Sequence, residues 1–330
     1  MHDATYTDDT PTHSLKFHGD GDTLFWLYLK TNLLTLLTLG VYASWGTVAL
    51  RNYFLSNTTF AGHRLVYAGT GRELFVGSLK LLGIYIVLAV ITAVLRATLG
   101  PIGMLVARVL LYVVLFALTP FALYSARRYR LSRTSLAGTR FSFRGSLGEC
   151  YRVFMPGALV TGMTLGLYYP VWHTRMRAYW LRNTYYGSEP FAYDGEGVDL
   201  FGPFFISWLL LIPTLGLSRI RYKAAEMRHD AASASFAGHR FKSTVTGWEM
   251  FVIALRMLLF SLITLGLAYP WLLVRAVKYY TSRLALIGEI DIVEIGGGVS
   301  IRGGDTGGAT GDTLAAALDI DMDFGIGLQP

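Results

Sequence analysis

"FAGHRLVYAG", residues 60–69, places Gly62 at a turn position between aromatic and β-branched residues, the composition of a β-hairpin. The rest of the chain is dominated by apolar runs, so a hairpin is out of place there. It returns as "LAGTRFSFRG" at 136–145 and in part as "FAGHRFKSTV" at 236–245. A recurring hairpin marks a repeated unit, and the length of that unit decides the fold.

Two sets of landmarks measure the unit. The aromatics Phe25, Phe75, Tyr151, Phe201 and Phe251 are separated by 50, 76, 50 and 50 residues, and the turn glycines Gly62, Gly138, Gly187, Gly238 and Gly288 by 76, 49, 51 and 50. The long step exceeds the others by about one membrane-spanning helix. It falls where two apolar runs, 74–95 and 102–124, share one unit. Five units follow, at about 15–64, 65–140, 141–189, 190–240 and 241–295, between a disordered start (1–14) and a Gly-rich linker with an acidic tail (296–330).

Hydrophobic residues make up 53% of the chain and charged residues 15%, against roughly 25% charged in a soluble domain. The apolar runs at 24–45, 74–95, 102–124, 150–172, 200–217 and 250–271 are each near the roughly 20 residues of a membrane span. The fold expected is therefore mainly α, a polytopic membrane protein with about six transmembrane helices in five repeats of about 50 residues. The polar start lacks a basic segment followed by an apolar one, so no cleaved signal peptide is expected. Cys150 is the single cysteine, which excludes an intrachain disulfide and a cysteine-only metal site. The net charge of +7 comes from Arg and Lys between spans, which points to anionic lipid headgroups as partners and not to nucleic acid.

Within a unit, a strand such as "LVYAG" or "PFAYDG" leads into a helix start. Thr70-x-x-Glu73, Ser146-x-x-Glu149 and Thr246-x-x-Glu249 match capping boxes, so these acids read as caps. Each span ends in "TLG", where Gly loosens the helix, and a basic aromatic segment such as "RMRAYWLRNTYY" follows as an interfacial helix. The short hairpin closes the unit, its Arg64, Arg140 or Arg240 able to reach phosphate or a carboxylate. With one span per unit the hairpins alternate sides of the membrane, the double-span unit excepted. In the rival arrangement each unit breaks at "TLG" into a re-entrant pair and all hairpins share one face. Charged second halves such as "RIRYKAAEMRHD" argue against re-entry into lipid, and alternation is the expectation. The positive-inside rule then makes the side of Arg51, Arg127 and Arg240 cytoplasmic.

The elements "NLLTLLTLGVYASW", "RNYFLSNTTFAGHRLVYAGTGRELFVG", "TLGLYYPVWHTRMRAYWLRNTYYG" and "FAGHRF" resemble the YjgN-like family of bacterial inner-membrane proteins, a domain of unknown function. The resemblance covers roughly residues 15–285 and implies a multi-pass protein of the bacterial inner membrane. It carries over no activity. Two departures stand out: "SRIRYKAAEMRHDAASASF" lacks the Tyr-x-Pro-Trp element, and the tail after 295 lies outside the pattern.

Cations inside spans are the sharpest site candidates, because a charge in hydrocarbon costs about 2.5–3.5 kcal/mol even on the mildest scale. Lys30, Lys80 and Arg256 each follow the unit aromatic by five residues, and with Asn32 and Arg108 they are the candidates for a substrate pathway. Snorkelling to the headgroups is the plainer account of the three, and Arg108 starts about one turn deeper. A second series, Arg51, Arg127 with Arg128, Arg177, Arg228 and Lys278, precedes the hairpin glycine and is expected at lipid headgroups. His63 and His239 share the turn motif "AGHR" and read as turn structure, not as metal ligands. The glycines of 296–312 lack the Lys-Ser/Thr of a phosphate loop. Asp319, Asp321 and Asp323 alternate with apolar residues as one face of a strand. No nucleophile–base set, metal motif or cofactor signature is present, so neither an enzyme nor a bound cofactor is expected, and protein partners are not legible.

Two functions follow from this reading. The first is transport or permeation of a small anionic solute, resting on repeats of alternating orientation and broken helices. The alternative is a non-transporting membrane scaffold or lipid-interacting protein, resting on the abundance of interfacial elements.

Overall fold

The computed structural model describes residues 12–296 and 308–317. The chain begins with β1 (Thr12–Ser14) and β2 (Lys16–Phe17) and the helices α1 (Gly21–Leu37) and α2 (Ala43–Ser56). A hairpin β3 (Thr58–Phe60) and β4 (His63–Tyr67) precedes α3 (Gly71–Arg133). Then come β5 (Thr134–Leu136), β6 (Thr139–Phe143), α4 (Leu147–Met163), α5 (Tyr169–Arg182), β7 (Thr184–Tyr186) and β8 (Glu189–Tyr193). The last part holds α6 (Phe201–Leu209), α7 (Ser218–Ser233), β9 (Ala234–Phe236), β10 (His239–Ser243), α8 (Gly247–Ile263), α9 (Tyr269–Ser282) and β11 (Leu284–Ile287). Two further helices, α10 (Ile292–Gly296) and α11 (Gly308–Ala317), follow.

All strands belong to one antiparallel sheet in the order β1-β11-β10-β9-β8-β7-β6-β5-β4-β3-β2. Its two ends meet in a single segment. Thr12–Ser14 pairs with β11, with Ser14 opposite Ala285, while Lys16–Phe17 pairs with β3. The Leu15 N–H between them donates to the Leu284 carbonyl at 3.3 Å. The sheet is thus nearly closed, which leaves few unpaired edges. Thr12–Ser14, placed by sequence in the N-terminal tail, is part of that closure.

Every hairpin is hydrogen-bonded to the next, so the hairpins cannot alternate across a membrane. This corrects the expected alternation. The chain leaves the sheet by one helix and returns to it by another, and the pairs turn at "TLG". Leu39, Leu165, Leu215 and Leu265 there have φ between 49° and 52°, and the glycines after them φ between 85° and 93°. Each turn threonine holds the reversal with two bonds. Thr264 Oγ1 donates to the Phe260 carbonyl (2.6 Å) and accepts from the Ala268 N–H (3.0 Å), and Thr38, Thr164 and Thr214 do the same. Thr264→Val keeps the shape and removes both bonds. It should cost about 1 kcal/mol, read as a lower melting temperature of the detergent-solubilised chain. An unchanged melting temperature would show that the turn does not depend on the hydroxyl.

The expected count of six spans is not recovered. Among the described residues, one helix, Gly71–Arg133, is long and apolar enough to cross a membrane. It is broken by the left-handed Gly100 (φ 56°) before Pro101. Its start follows β4 and its end precedes β5, and these strands pair Tyr67 with Thr134. The helix therefore doubles back as two arms of about 29 and 33 residues, roughly 43 and 50 Å at 1.5 Å per residue. The other expected spans are shorter helices that end at a "TLG" reversal: α1, α4 and α8 are 17 residues each and α6 is 9.

The second helices are return legs, not helices lying in a headgroup layer. Met176, Tyr179 and Trp180 of α5 pack with Phe143, Cys150 and Phe154 in a buried cluster, and Leu273, Val274 and Val277 of α9 pack with Phe17, Leu24 and Phe54. The charged second half that argued against re-entry, α7, turns Glu226 and Asp230 inward, 1% and 4% exposed. These two acids find their partners within the protein.

Candidate functional site

Each of three helical pairs is tied at its base by a tyrosine. The Tyr53 hydroxyl donates to the Asp20 carbonyl (2.5 Å) and the Tyr179 hydroxyl to the Ser146 carbonyl (2.8 Å), while Tyr279 donates to the Glu249 carboxylate (2.7 Å). Tyr129 ties the two arms of α3 in the same way, through Glu73 (2.9 Å), which also pairs with Arg133. Glu249 likewise pairs with Arg283 at 2.7 Å. The capping acids therefore close the helical pairs as well as capping helices. Thr70 and Glu73 form the full reciprocal box, while Ser146 and Thr246 accept from the Glu149 and Glu249 N–H groups. Tyr53, Tyr129, Tyr179 and Tyr279 each lie eight or nine residues before a turn glycine, so the ruler that found the glycines could have found them.

Two buried charge clusters lie among the return legs. In the first, Asp312 of α11 is 1% exposed and held at 2.5 Å by both Arg51 of α2 and Arg130 of α3. Burial would push its carboxyl up, but the two guanidiniums outweigh this and hold it below the usual carboxylate value. Residues around it fit α11 to the arms of α3: Leu314 and Ala315 pack on Ala122 and Ala126, Ala309 packs on Leu74 and Tyr129, and Thr313 donates to the Leu74 carbonyl (3.4 Å). A Cβ on Gly77 would fall 2.7 Å from the Ala309 carbonyl oxygen, so the two helices touch backbone to backbone. Sequence placed 308–312 in a glycine linker, but Ala309 and Asp312 belong to a helix packed on α3, and the glycine that permits the close approach is Gly77 of α3.

In the second cluster Asp230 of α7 accepts from the Tyr193 hydroxyl (2.8 Å) and lies 3.3 Å from Arg177 Nε, off hydrogen-bond geometry. Glu226, one turn earlier, accepts from Tyr222 (3.2 Å), pairs with Lys223 (2.9 Å) and lies 3.3 Å from His173 Nδ1. Burial pushes His173 below its ordinary value, and Glu226 opposes that push. Charge patterning along α7 could signal Lys223 with Glu226 but not the rest, because His173 and Arg177 come from α5 and Tyr193 from β8.

The residues proposed from sequence are placed differently from one another. Lys30, Asn32, Lys80, Arg108 and Arg256 are all exposed, and no hydrogen bond or ion pair joins any two of them among the described residues. The structure does not bring them together. Of the second series, Arg128, Arg228 and Lys278 are exposed and Arg127 is half-buried, with Nη2 3.4 Å from Thr184 Oγ1. Arg51 and Arg177, expected at headgroups, instead turn inward to Asp312 and Asp230, because each is worth more paired with a buried acid than left alone. His63 lies in its hairpin opposite Phe60, and His239 Nδ1 contacts the Ile287 carbonyl (3.2 Å). Among the described residues no group of His, Cys, Asp and Glu is arranged to hold a metal ion. Asp319, Asp321 and Asp323 lie outside the described residues.

The doubled apolar helix and the paired helices define a helical membrane protein. The family model described as "Bacterial protein of unknown function (DUF898)" matches residues 12–219 and again 209–316, and the chain belongs to that family. It is similar to the inner membrane protein YjgN of Salmonella typhimurium strain LT2, 31% identical over 170 residues, 51% of this chain and 41% of that protein. The inner membrane protein YjgN of Escherichia coli strain K12 is 31% identical over 157 residues, 47% of this chain and 37% of that protein. The matched stretches span less than half of these relatives' own length. No solved structure gives a significant match. The chain is a protein of the bacterial inner membrane, as these relatives are.

Proposed function

We propose that this protein is a non-transporting, lipid-interacting scaffold of the inner membrane. The carrying observation is the set of turn leucines. Leu39, Leu165, Leu215 and Leu265 are 95%, 79%, 93% and 92% exposed, and each holds a backbone conformation that costs a side-chain-bearing residue about 1–2 kcal/mol. Residues so exposed and so held contribute little to the protein's own packing. They suit a membrane in which four helical pairs dip their turns into one leaflet while the arms of α3 cross it. On this reading the five units are copies of one element, a helical pair hung from a strand hairpin, and the nearly closed sheet stands at the aqueous face.

A solute pathway has less support. Lys30, Lys80, Arg108 and Arg256 are separate and exposed, and the inward Arg51 and Arg177 are already neutralised by Asp312 and Asp230. Exposed Arg128 and Lys278 are then headgroup contacts. Reconstituted into vesicles, the protein should give no anion flux above protein-free vesicles. Arg128→Glu with Lys278→Glu should weaken its association with phosphatidylglycerol vesicles severalfold. Anion flux that disappears on Arg108→Ala would replace the scaffold with a transporter.

A further inference from the structure

Two junctions between neighbouring helical pairs are sealed by a tryptophan lying across a glycine, and at the junction of α5 and α6 the backbone of Val171 lies across Gly197, its Cα 2.4 Å from where a Cβ would stand. Trp45 of α2 covers Gly71 at the start of α3, where a Cβ would fall 2.5 Å from the indole, and Trp271 of α9 covers Gly21 at the start of α1, where it would fall 2.2 Å away. Each indole also meets the unit aromatic of the helix it covers: Trp45 lies 5.4 Å from Phe75 and Trp271 stacks on Phe25 at 4.8 Å. At the junction of α7 and α8 the covered glycine is Gly247, but the residue across it is Arg221, whose backbone Cα would be 3.2 Å from a Cβ there. An arginine stands where the tryptophans stand. Phe251, in the place of Phe25 and Phe75, is left to pack on Trp248 of its own helix (5.5 Å).

At this junction there is a cavity of about 490 Å³ lined by Leu217, Ile220, Arg221, Arg228, Trp248 and Phe251. Its polarity is graded along α7. Leu217 and Ile220 lie near the turn, next to the exposed Leu215, and Arg221 and Arg228 lie toward the sheet, roughly 6 and 17 Å of helix rise beyond Leu217. Arg228 Nη1 donates to the Val245 carbonyl (2.6 Å), which fixes its orientation. Among the described lining residues none is acidic. Two cations at one end and aliphatic and aromatic walls toward the other match one class of amphiphile, with phosphate on guanidinium and hydrocarbon on Leu217, Ile220, Trp248 and Phe251.

We propose that the cleft between α7 and α8 is a binding site for a single anionic glycerophospholipid, its phosphate on Arg221 and Arg228 and an acyl chain along the apolar wall toward the "TLG" turn. The site rests on the lipid-interacting reading, which concerns bulk contacts at other positions, and the two can fail separately. The test is native mass spectrometry of the full detergent-purified chain with phosphatidylglycerol, with phosphatidylcholine and with inorganic phosphate. One phosphatidylglycerol should stay bound to the wild type, phosphatidylcholine should be retained at least tenfold less, and millimolar phosphate should not displace the lipid. Arg221→Trp, which restores the seal seen at Trp45 and Trp271, should reduce retention at least tenfold while vesicle association stays at the wild-type level. Arg221→Gln keeps the cleft open and should erase the preference for phosphatidylglycerol over phosphatidylcholine. Undiminished retention by a folded Arg221→Trp, or a preference surviving Arg221→Gln, would overturn the site. Displacement by phosphate alone would replace the lipid with a free anion. Loss of vesicle association in Arg128→Glu/Lys278→Glu with the single lipid retained would support the site.

Discussion

Replacing Asp312 with alanine is expected to destabilise the chain by about 3–5 kcal/mol, the cost of stranding buried charges by removing their partner. Arg51 and Arg130 are 14% and 19% exposed, and both guanidiniums converge on this one carboxylate. The loss should appear as a fall in melting temperature and as release of α11 to protease, since the ion pairs and the contacts of Leu314, Ala315 and Ala309 hold the same helix. The pair should also set an acid limit. The folded carboxyl is held below its ordinary value, so its contribution is complete above the unfolded-state value of about 3.9. It is lost as the pH falls through the lower folded-state value. Wild type and Asp312→Ala should differ most near neutrality and converge toward pH 2. A constant difference across that range would mean that α11 is held by packing alone.

Asp230→Ala is the second large effect, also about 3–5 kcal/mol, because Arg177 is only 7% exposed and its nearest acid is Asp230. The Tyr193 hydroxyl, 2.8 Å away, loses its acceptor in the same variant. Adding Arg177→Met should recover most of the loss, since an apolar side chain of similar length removes the stranded charge. Thermal unfolding of the two single variants and the double variant closes the cycle. If the double variant is no more stable than Asp230→Ala, the cost arises from Tyr193 or from packing and not from the guanidinium.

Much of this architecture was written locally. The turn glycines Gly62, Gly138 and Gly238, the "TLG" reversals and the Thr70–Glu73 cap depend on residues a few positions apart, and a ruler of about 50 residues finds them. Sidedness was not local. Whether hairpins share a face depends on pairs such as Leu65 with Leu136 and Tyr193 with Ala234, which hydropathy does not report. The apolar runs misled for a related reason: a run of about 20 residues reads as a span whether it crosses once or reverses, and left-handed Leu39 and Leu265 decide between these. The inward charges were hidden because Asp312 meets Arg51 across 261 residues, and a basic return leg looks the same whether its acid is a lipid or the chain's own tail.

The closure of the sheet orders events during synthesis. Thr12–Ser14 is made before any of the five helical pairs, yet its partner β11 lies at Leu284–Ile287, beyond the fifth of them. Lys16–Phe17 can pair with β3 once Thr58–Phe60 has left the ribosome, so the same short segment is anchored on one side and unpaired on the other for most of translation. The intermediate grows as an open fan with one edge advancing and the other waiting, and closure joins strands made on either side of all five helical pairs.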